Sequence, residues 1–297
     1  MKGSIWKLLA LLLALAAAVY FVLQRPGEQS SSGAPGTVLL SYDSAAVDRV
    51  EVAGREGRTV LQKEAGSWQV VEPLRAPADR AAVTDAVGKG RTIELTALVS
   101  SNPAKQGLFA VDSTGTVVRF FRGGTLLGAF VMGKAGPSFT ETYVRRDGSE
   151  DVHLAAGLLS GVFVRPVRDW RDKSVTGLPR EAIRTVAFRY GDTTFTLAMA
   201  DSLWLVGGKP ADRNAVDALI GQLAGLQADG FIDSAVTTAA EPWAVIDVDG
   251  TQIMVHRASD DTKMLVHTSR SPQWFEVQKW RLDPVLKRES DLLAPGP

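Results

Sequence analysis

A twelve-residue stretch, Trp68 to Asp79 (Trp-Gln-Val-Val-Glu-Pro-Leu-Arg-Ala-Pro-Ala-Asp), returns once in shortened form as Trp204 to Asp212 (Trp-Leu-Val-Gly-Gly-Lys-Pro-Ala-Asp). Each copy reads as a strand opening on Trp, a turn containing Pro, and an Ala-Asp pair placed to begin a helix. A chain with this echo is constrained to build one unit twice. Ile183–Phe188 matches Val47–Val52 at an offset of 136 residues (183 minus 47), Trp204 matches Trp68 at the same offset, and Ala211-Asp212 follows Ala78-Asp79 at 133. Trp280-Arg281 echoes Trp170-Arg171 at 110 (280 minus 170), which makes the second copy read as shorter. The charges inside the stretch (Glu72 and Arg75 against Lys209) are not kept, so Trp68, Asp79, Trp204 and Asp212 read as structural markers of the repeat rather than as chemistry.

Around these markers the pattern is short alternating runs separated by Gly-containing turns, the signature of half-buried antiparallel strands. The runs Thr116–Arg122 and Leu126–Met132 flank Gly123-Gly124 and predict a hairpin. Each copy has one main helix: Ala81, Ala82, Val83, Ala86 and Val87 give the first a small-residue face, and Val216, Leu219, Ile220, Leu223 and Leu226 give the second a stronger one. Asp79 and Asp212 stand where helix N-caps belong. The expected fold class is therefore α+β: an N-terminal transmembrane helix, then two tandem duplicated units of antiparallel strands with one main helix each. The boundaries read 1–24 for the anchor, 25–42 for a Ser/Gly/Pro tether, 43–175 for the first repeat and 176–297 for the second.

The anchor expectation rests on Leu8 to Leu23, sixteen residues without a charge or amide, preceded by Lys2 and Lys7. Sixteen helical residues span about 24 Å, and adding Ile5 and Trp6 brings residues 5–23 close to bilayer thickness. The lysines place the N-terminus in the cytoplasm and the body outside it. A cleaved signal peptide is the rival reading, since Ala14-Leu-Ala16 and Ala16-Ala-Ala18 fit a small-x-small cleavage site. Cutting there would leave Val19–Leu23 as an exposed apolar terminus, so the anchor is preferred: a single-pass inner-membrane protein with a periplasmic body.

Composition narrows the chemistry. Lys plus Arg and Asp plus Glu both total 33, giving a formal net charge of zero, which speaks against nucleic acid as a partner. There is no cysteine, hence no disulfide, thiolate site or lipid-modified Cys, and three histidines are too few for a His-rich metal centre. Gly128–Lys134 has the Gly-x-x-x-x-Gly-Lys spacing of a phosphate loop, but Ala135 stands where the magnesium-binding hydroxyl belongs and the intervening residues form an apolar strand. No nucleotide is expected, and Gly133–Gly136 reads as a turn. Asp247-Val-Asp249-Gly250 lacks the remaining ligands of a calcium loop and reads as a hairpin turn. His256 and His267 fall on adjacent strands and read as rim residues. Gly157–Gly161 has the wrong spacing for a nucleophile elbow. No catalytic residue, cofactor or metal ligand is singled out.

The least ordinary local composition is Arg165-Pro-Val-Arg168-Asp-Trp170-Arg171-Asp-Lys173. The plain interpretation is a Trp packed beneath a charged connector between the repeats. The functional one makes Arg165, Arg168, Trp170, Arg171 and Lys173 a partner-docking patch, since Trp and Arg anchor interfaces.

Taken in order, Trp68, Pro73, Ala78-Asp79, Gly107-Leu108, Gly133, Tyr143-Val144, Trp170-Arg-Asp-Lys173, Trp204 and Ala211-Asp212 resemble the DUF4340 proteins, a bacterial family of uncharacterised function, over roughly residues 43–290. Phe109 stands where an acidic residue commonly follows Gly-Leu, a local departure at a turn. The resemblance implies one N-terminal span, an extracytoplasmic body, and an association with an ABC-transporter permease and its auxiliary membrane subunit. It supplies no catalytic residues. The leading expectation is thus a non-catalytic, membrane-anchored accessory subunit of an ABC-transporter-type or envelope complex. The alternatives are an exported binding module for envelope glycan, peptide or lipid, and a hydrolase with an unrecognised site.

Overall fold

The computed structural model describes residues 37–55, 57–234 and 241–294. The chain divides into two compact units, the described parts of Met1–Lys63 with Ala81–Arg165, and of Glu64–Arg80 with Pro166–Pro297.

The alternating runs of the first repeat become β1 (Arg49–Gly54), β2 (Gly57–Glu64), β3 (Ser67–Glu72), β4 (Ala76–Pro77), helix α1 (Arg80–Arg91), β5 (Leu95–Ser100), β6 (Thr116–Arg122), β7 (Thr125–Ala135), β8 (Glu141–Arg146) and β9 (Val152–Ala156), closed by the one-turn helix α2 (Ser160–Phe163). The second repeat gives β10 (Thr185–Tyr190), β11 (Thr193–Ala200), β12 (Leu203–Val206), β13 (Lys209–Pro210), α3 (Arg213–Ala224), β14 (Gly230–Ile232), β15 (Ala244–Val248), β16 (Thr251–Arg257), β17 (Lys263–Thr268), β18 (Ser271–Gln278) and α4 (Lys279–Leu282). The first sheet runs β4-β3-β2-β1-β6-β7-β8-β9-β5 and the second β13-β12-β11-β10-β15-β16-β17-β18-β14. Every strand of the first order is replaced in the second by the strand nine places later. Register repeats too: Val52 pairs with Thr59 and Val118, and Phe188 with Phe195 and Ile246.

Hairpin turns set this register. Gly123-Gly124 has φ of 53° and 81° and Asp249-Gly250 has 47° and 87°, left-handed at both central positions, which matches the twist of the flanking strands. Each long helix covers one sheet face. In α3, Val216, Leu219, Ile220 and Leu223 are buried against Phe188, Leu197, Ile246 and Phe275 in one apolar cluster. The Asp212 carboxylate accepts from the amide of Ala215 at 2.8 Å and caps the helix. In α1 the small face permits a closer approach: a Cβ on Gly90 would lie 2.4 Å from the Phe120 ring. The Tyr42 ring meets that ring at 4.9 Å in a tilted contact, and its hydroxyl donates to the carbonyl of Val87 at 2.8 Å.

The fold class differs from the α+β expectation. Each repeat is predominantly an antiparallel β-sheet of nine strands, with one twelve-residue helix as a minority element. Segments that read as connectors pair into the sheets: Ala76–Pro77 and Lys209–Pro210 end one side of each, and Gly230–Ile232 the other. Pro tolerates these places because an end strand can leave its missing donor on the unpaired side. Among the described residues no helix is long and apolar enough to cross a membrane. The transmembrane expectation for residues 5–23, and most of the tether, lie outside the described residues.

Two local expectations also change. Gly133 and Lys134 belong to β7 rather than to a turn, and Gly133 is small because a Cβ there would stand 2.1 Å from the Phe109 carbonyl oxygen. The Trp280 echo of Trp170 is not an equivalence. The Asp79 amide donates to the Trp170 carbonyl and the Asp212 amide to the Leu292 carbonyl, each at 2.8 Å, while Ala78 bridges to Arg171 and Ala211 to Leu293. Leu292 is therefore the counterpart of Trp170, both fully buried, whereas Trp280 is exposed. The two Trp-Arg dipeptides are alike in identity alone, and the backbone pairing selects Leu292 as the counterpart of Trp170.

Candidate functional site

The Arg/Trp segment does not form one exposed patch. Trp170 is fully buried and Arg171 is 3% exposed. The Arg171 Nε donates to Gln273 Oε1 at 2.9 Å, Nη1 to Asp233 Oδ1 at 2.7 Å, and the guanidinium lies 3.7 Å from the centre of the Phe231 ring. Lys173 pairs with Asp169 at 2.7 Å, Arg165 with Asp85 at 3.2 Å, and the largely exposed Arg168 approaches Asp169 at 3.9 Å. Trp68 and Trp204 are half-buried, their carbonyls accepting from the amides of Ala78 and Ala211. With Asp212 capping α3, three of the repeat markers hold strand, turn and helix in place. The Asp79 amide adds the bond to Trp170 described above.

The residues weighed for chemistry fall into structural positions. Gly128–Lys134 lies along β7 with Phe130, Val131 and Met132 buried. Asp249 accepts from the amides of Arg184 and Thr185, and Asp247 from that of Gly250, which makes them turn acceptors. Among the described residues no group of three or more His, Asp or Glu side chains is placed to hold a metal ion.

His256 and His267 flank Trp274 on one sheet face, with ring centres 5.2 and 5.0 Å from the indole. Burial and the neighbouring His267 lower the pKa of His256, and burial lowers that of His153 against the opposing charge of Asp151. Unfolding then takes up protons at these sites at mildly acid pH. Stability is greatest above the ordinary His pKa of about 6.5 and falls as pH drops from there toward the lowered folded values. Thermal melts between pH 8 and 5 should show that decline, with a shallower slope in His256→Gln. An unchanged slope in the variant would remove His256 as a contributor.

Two clefts occupy corresponding places in the two repeats, the first beside the β1–β2 hairpin and the one-turn helix α2, the second beside the β10–β11 hairpin and the segment that follows α4. The first, about 460 Å³, is lined by Gly54, Gly57 and Thr59, the hydroxyl residues Thr114, Thr116 and Ser160, and the cations Arg55, Lys134 and Arg165. The second, about 480 Å³, is lined by Tyr190, Thr193, Phe195, Trp243, Asp283, Leu286, Arg288 and Glu289. At the offset of 136 residues (190 minus 54), Tyr190, Thr193 and Phe195 replace Gly54, Gly57 and Thr59. One scaffold position thus carries a small, hydroxylic and cationic lining in one repeat and an aromatic one in the other. Sequence reading passed over this cleft, although its signal is present: Phe188, Tyr190 and Phe195 lie across a two-residue hairpin where the first copy has Val52, Gly54 and Thr59.

A further feature was also unread. Between β7 and β8, Phe139 is 75% exposed with φ of 57°, an unusual backbone conformation for an aromatic residue. Its amide donates to the Gly136 carbonyl, and the neighbouring Thr140 carbonyl accepts from Gly157, which places Leu158, 53% exposed, beside the turn. The Thr142 hydroxyl donates to the Gly157 carbonyl at 2.7 Å and accepts from the Leu159 amide at 3.1 Å, which fixes the second segment against β8. The only sequence trace is a lone Phe within Gly-Pro-Ser-Phe-Thr.

The family model described as "Domain of unknown function (DUF4340)" matches residues 68–244, from the Trp of β3 to the first residue of β15, and so takes in parts of both repeats. No curated protein and no solved structure matches the chain.

Proposed function

We propose, for a chain that belongs to the DUF4340 family, a role as a non-catalytic interaction domain held at the extracytoplasmic face of a membrane. In this reading residues 5–23 hold it there and it serves a transporter-type or envelope complex as an accessory subunit. The observation that carries the reading is the turn at Phe139. A large apolar side chain is displayed to solvent on a backbone conformation that costs about 1–3 kcal/mol, with hydrogen bonds on both sides fixing it. Strain of this kind clusters at functional segments, and a large aromatic displayed at such a turn has the form of an interface anchor. The partner that fits is a membrane subunit of the permease or auxiliary type. Tethering both proteins to one bilayer raises their effective concentration, so a small anchor suffices.

The test is a photo-crosslinking residue at position 139 in native membranes. Adducts with a membrane subunit are expected, and Phe139→Ser should weaken co-purification of that subunit about tenfold, as for an interface residue worth about 1.4 kcal/mol. Recovery of the protein alone in a soluble fraction, or adducts only with itself, overturns the reading.

A further inference from the structure

The aromatic cleft of the second repeat has the chemistry of a ligand site. Its walls are Tyr190, Phe195 and Trp243, with Tyr190 and Trp243 meeting edge to face at 6.1 Å and Tyr190 stacked on Phe195 at 6.4 Å. The Tyr190 hydroxyl donates to the Lys287 carbonyl at 2.8 Å, which fixes the ring in the cleft lining. Burial raises the Tyr190 pKa, with the charge of Asp291 acting in the same direction, so this donor keeps its proton at physiological pH. Trp243 is 40% exposed and stands at the mouth. The volume of about 480 Å³ falls within the range of about 300–1,000 Å³ occupied by small ligands.

The rim decides the class of ligand. It carries Asp283 and Glu289 with Arg288, and Lys279 neutralises Asp283 at 2.8 Å. A cationic ligand would meet Arg288, and an anionic one would meet the Glu289 carboxylate. A neutral ligand rich in hydroxyls meets neither penalty: it donates to the carboxylates, accepts from the guanidinium, and lays its C–H faces on the aromatic walls. The first repeat supplies an internal comparison. The equivalent cleft has Gly54 and Thr59 where this one has Tyr190 and Phe195, keeps a single aromatic, Phe163, and has no carboxylate among its described lining residues. Aromatics at the positions of Tyr190 and Phe195 are thus not a requirement of the scaffold. We infer that the cleft between the β10–β11 hairpin and the segment Asp283–Glu289 that follows α4 binds a saccharide ring.

The experiment is calorimetric titration of the full chain, reconstituted in lipid nanodiscs, with chitotriose, cellotriose and maltotriose as probes. Saturable binding of at least one is expected. Trp243→Ala, which removes a wall, and Thr193→Trp, which fills the cleft from an exposed position, should each weaken it at least tenfold. Trp280→Ala, at an exposed Trp of the same unit outside the cleft, should leave it unchanged, and matching melting temperatures would show that all three variants fold. Absence of saturable binding with all three sugars overturns the inference, as does binding that keeps its strength in both Trp243→Ala and Thr193→Trp. Neither outcome bears on the crosslinking result at Phe139, which lies in the other unit.

Discussion

Replacing Trp170 by Ala should destabilise the protein by about 3–5 kcal/mol, the range for emptying a fully buried large aromatic site. The indole is fully buried, and its residue is tied to the start of α1 through the Asp79 amide and through the bridge between Ala78 and Arg171. The second repeat provides the graded control, since the same backbone position there is Leu292, equally buried and equally bonded to Asp212. Trp170→Leu should therefore cost clearly less than Trp170→Ala, because an apolar side chain with most of the reach remains at a position whose backbone geometry accepts Leu. Denaturant unfolding of the three proteins checks the order. Were Trp170 a docking anchor, both variants would lose partner binding while keeping wild-type stability.

Periodicity made the helices and hairpins legible. The face Val216, Leu219, Ile220 and Leu223 is the buried face of α3, and the turns at Gly123-Gly124 and Asp249-Gly250 close hairpins. The breadth of the sheets was not legible, because strands of two or three residues such as Ala76–Pro77 and Gly230–Ile232 have too little pattern to register as alternation. They exist through pairing with residues far along the chain: Phe231 opposite Phe275, for example. The same limit explains the false match between Trp170 and Trp280. Identity in sequence is visible, whereas a carbonyl accepting from a helix-start amide 91 residues away (170 minus 79) is not. The candidate site shows the complementary limit. Strand reading tells which residues share a sheet face, but the clefts are bounded by hairpin ends, by α2 and by the segment after α4, whose meeting depends on tertiary closure. The aromatic substitutions at 190 and 195 were in plain view, and what they line was not.

Arg171 carries the second large expected effect, and it separates a structural role from a docking role most cleanly. Its guanidinium is removed from water and satisfied in three ways at once: Gln273 at Nε, Asp233 at Nη1 and the face of Phe231. Removing it leaves the buried Gln273 amide oxygen without that donor, and vacates the space over the ring. The Asp233 side chain is 54% exposed and regains water, so its loss of a partner costs little. Arg171→Leu should then destabilise by about 2–4 kcal/mol, below the full penalty of a stranded buried charge. Arg171→Lys keeps the charge but has neither the planar face for Phe231 nor the fork that reaches Gln273 and Asp233 together, and should cost about 1–2 kcal/mol. A double variant with Gln273→Leu tests the origin of the loss. If the buried amide is the main casualty, the two substitutions should be strongly non-additive, the double variant being more stable than the sum of the singles predicts. Additive losses would locate the effect in the packing of Arg171 over Phe231 instead. Full stability in Arg171→Leu, together with a lost crosslinking partner, would return this residue to the interface that its local composition suggested.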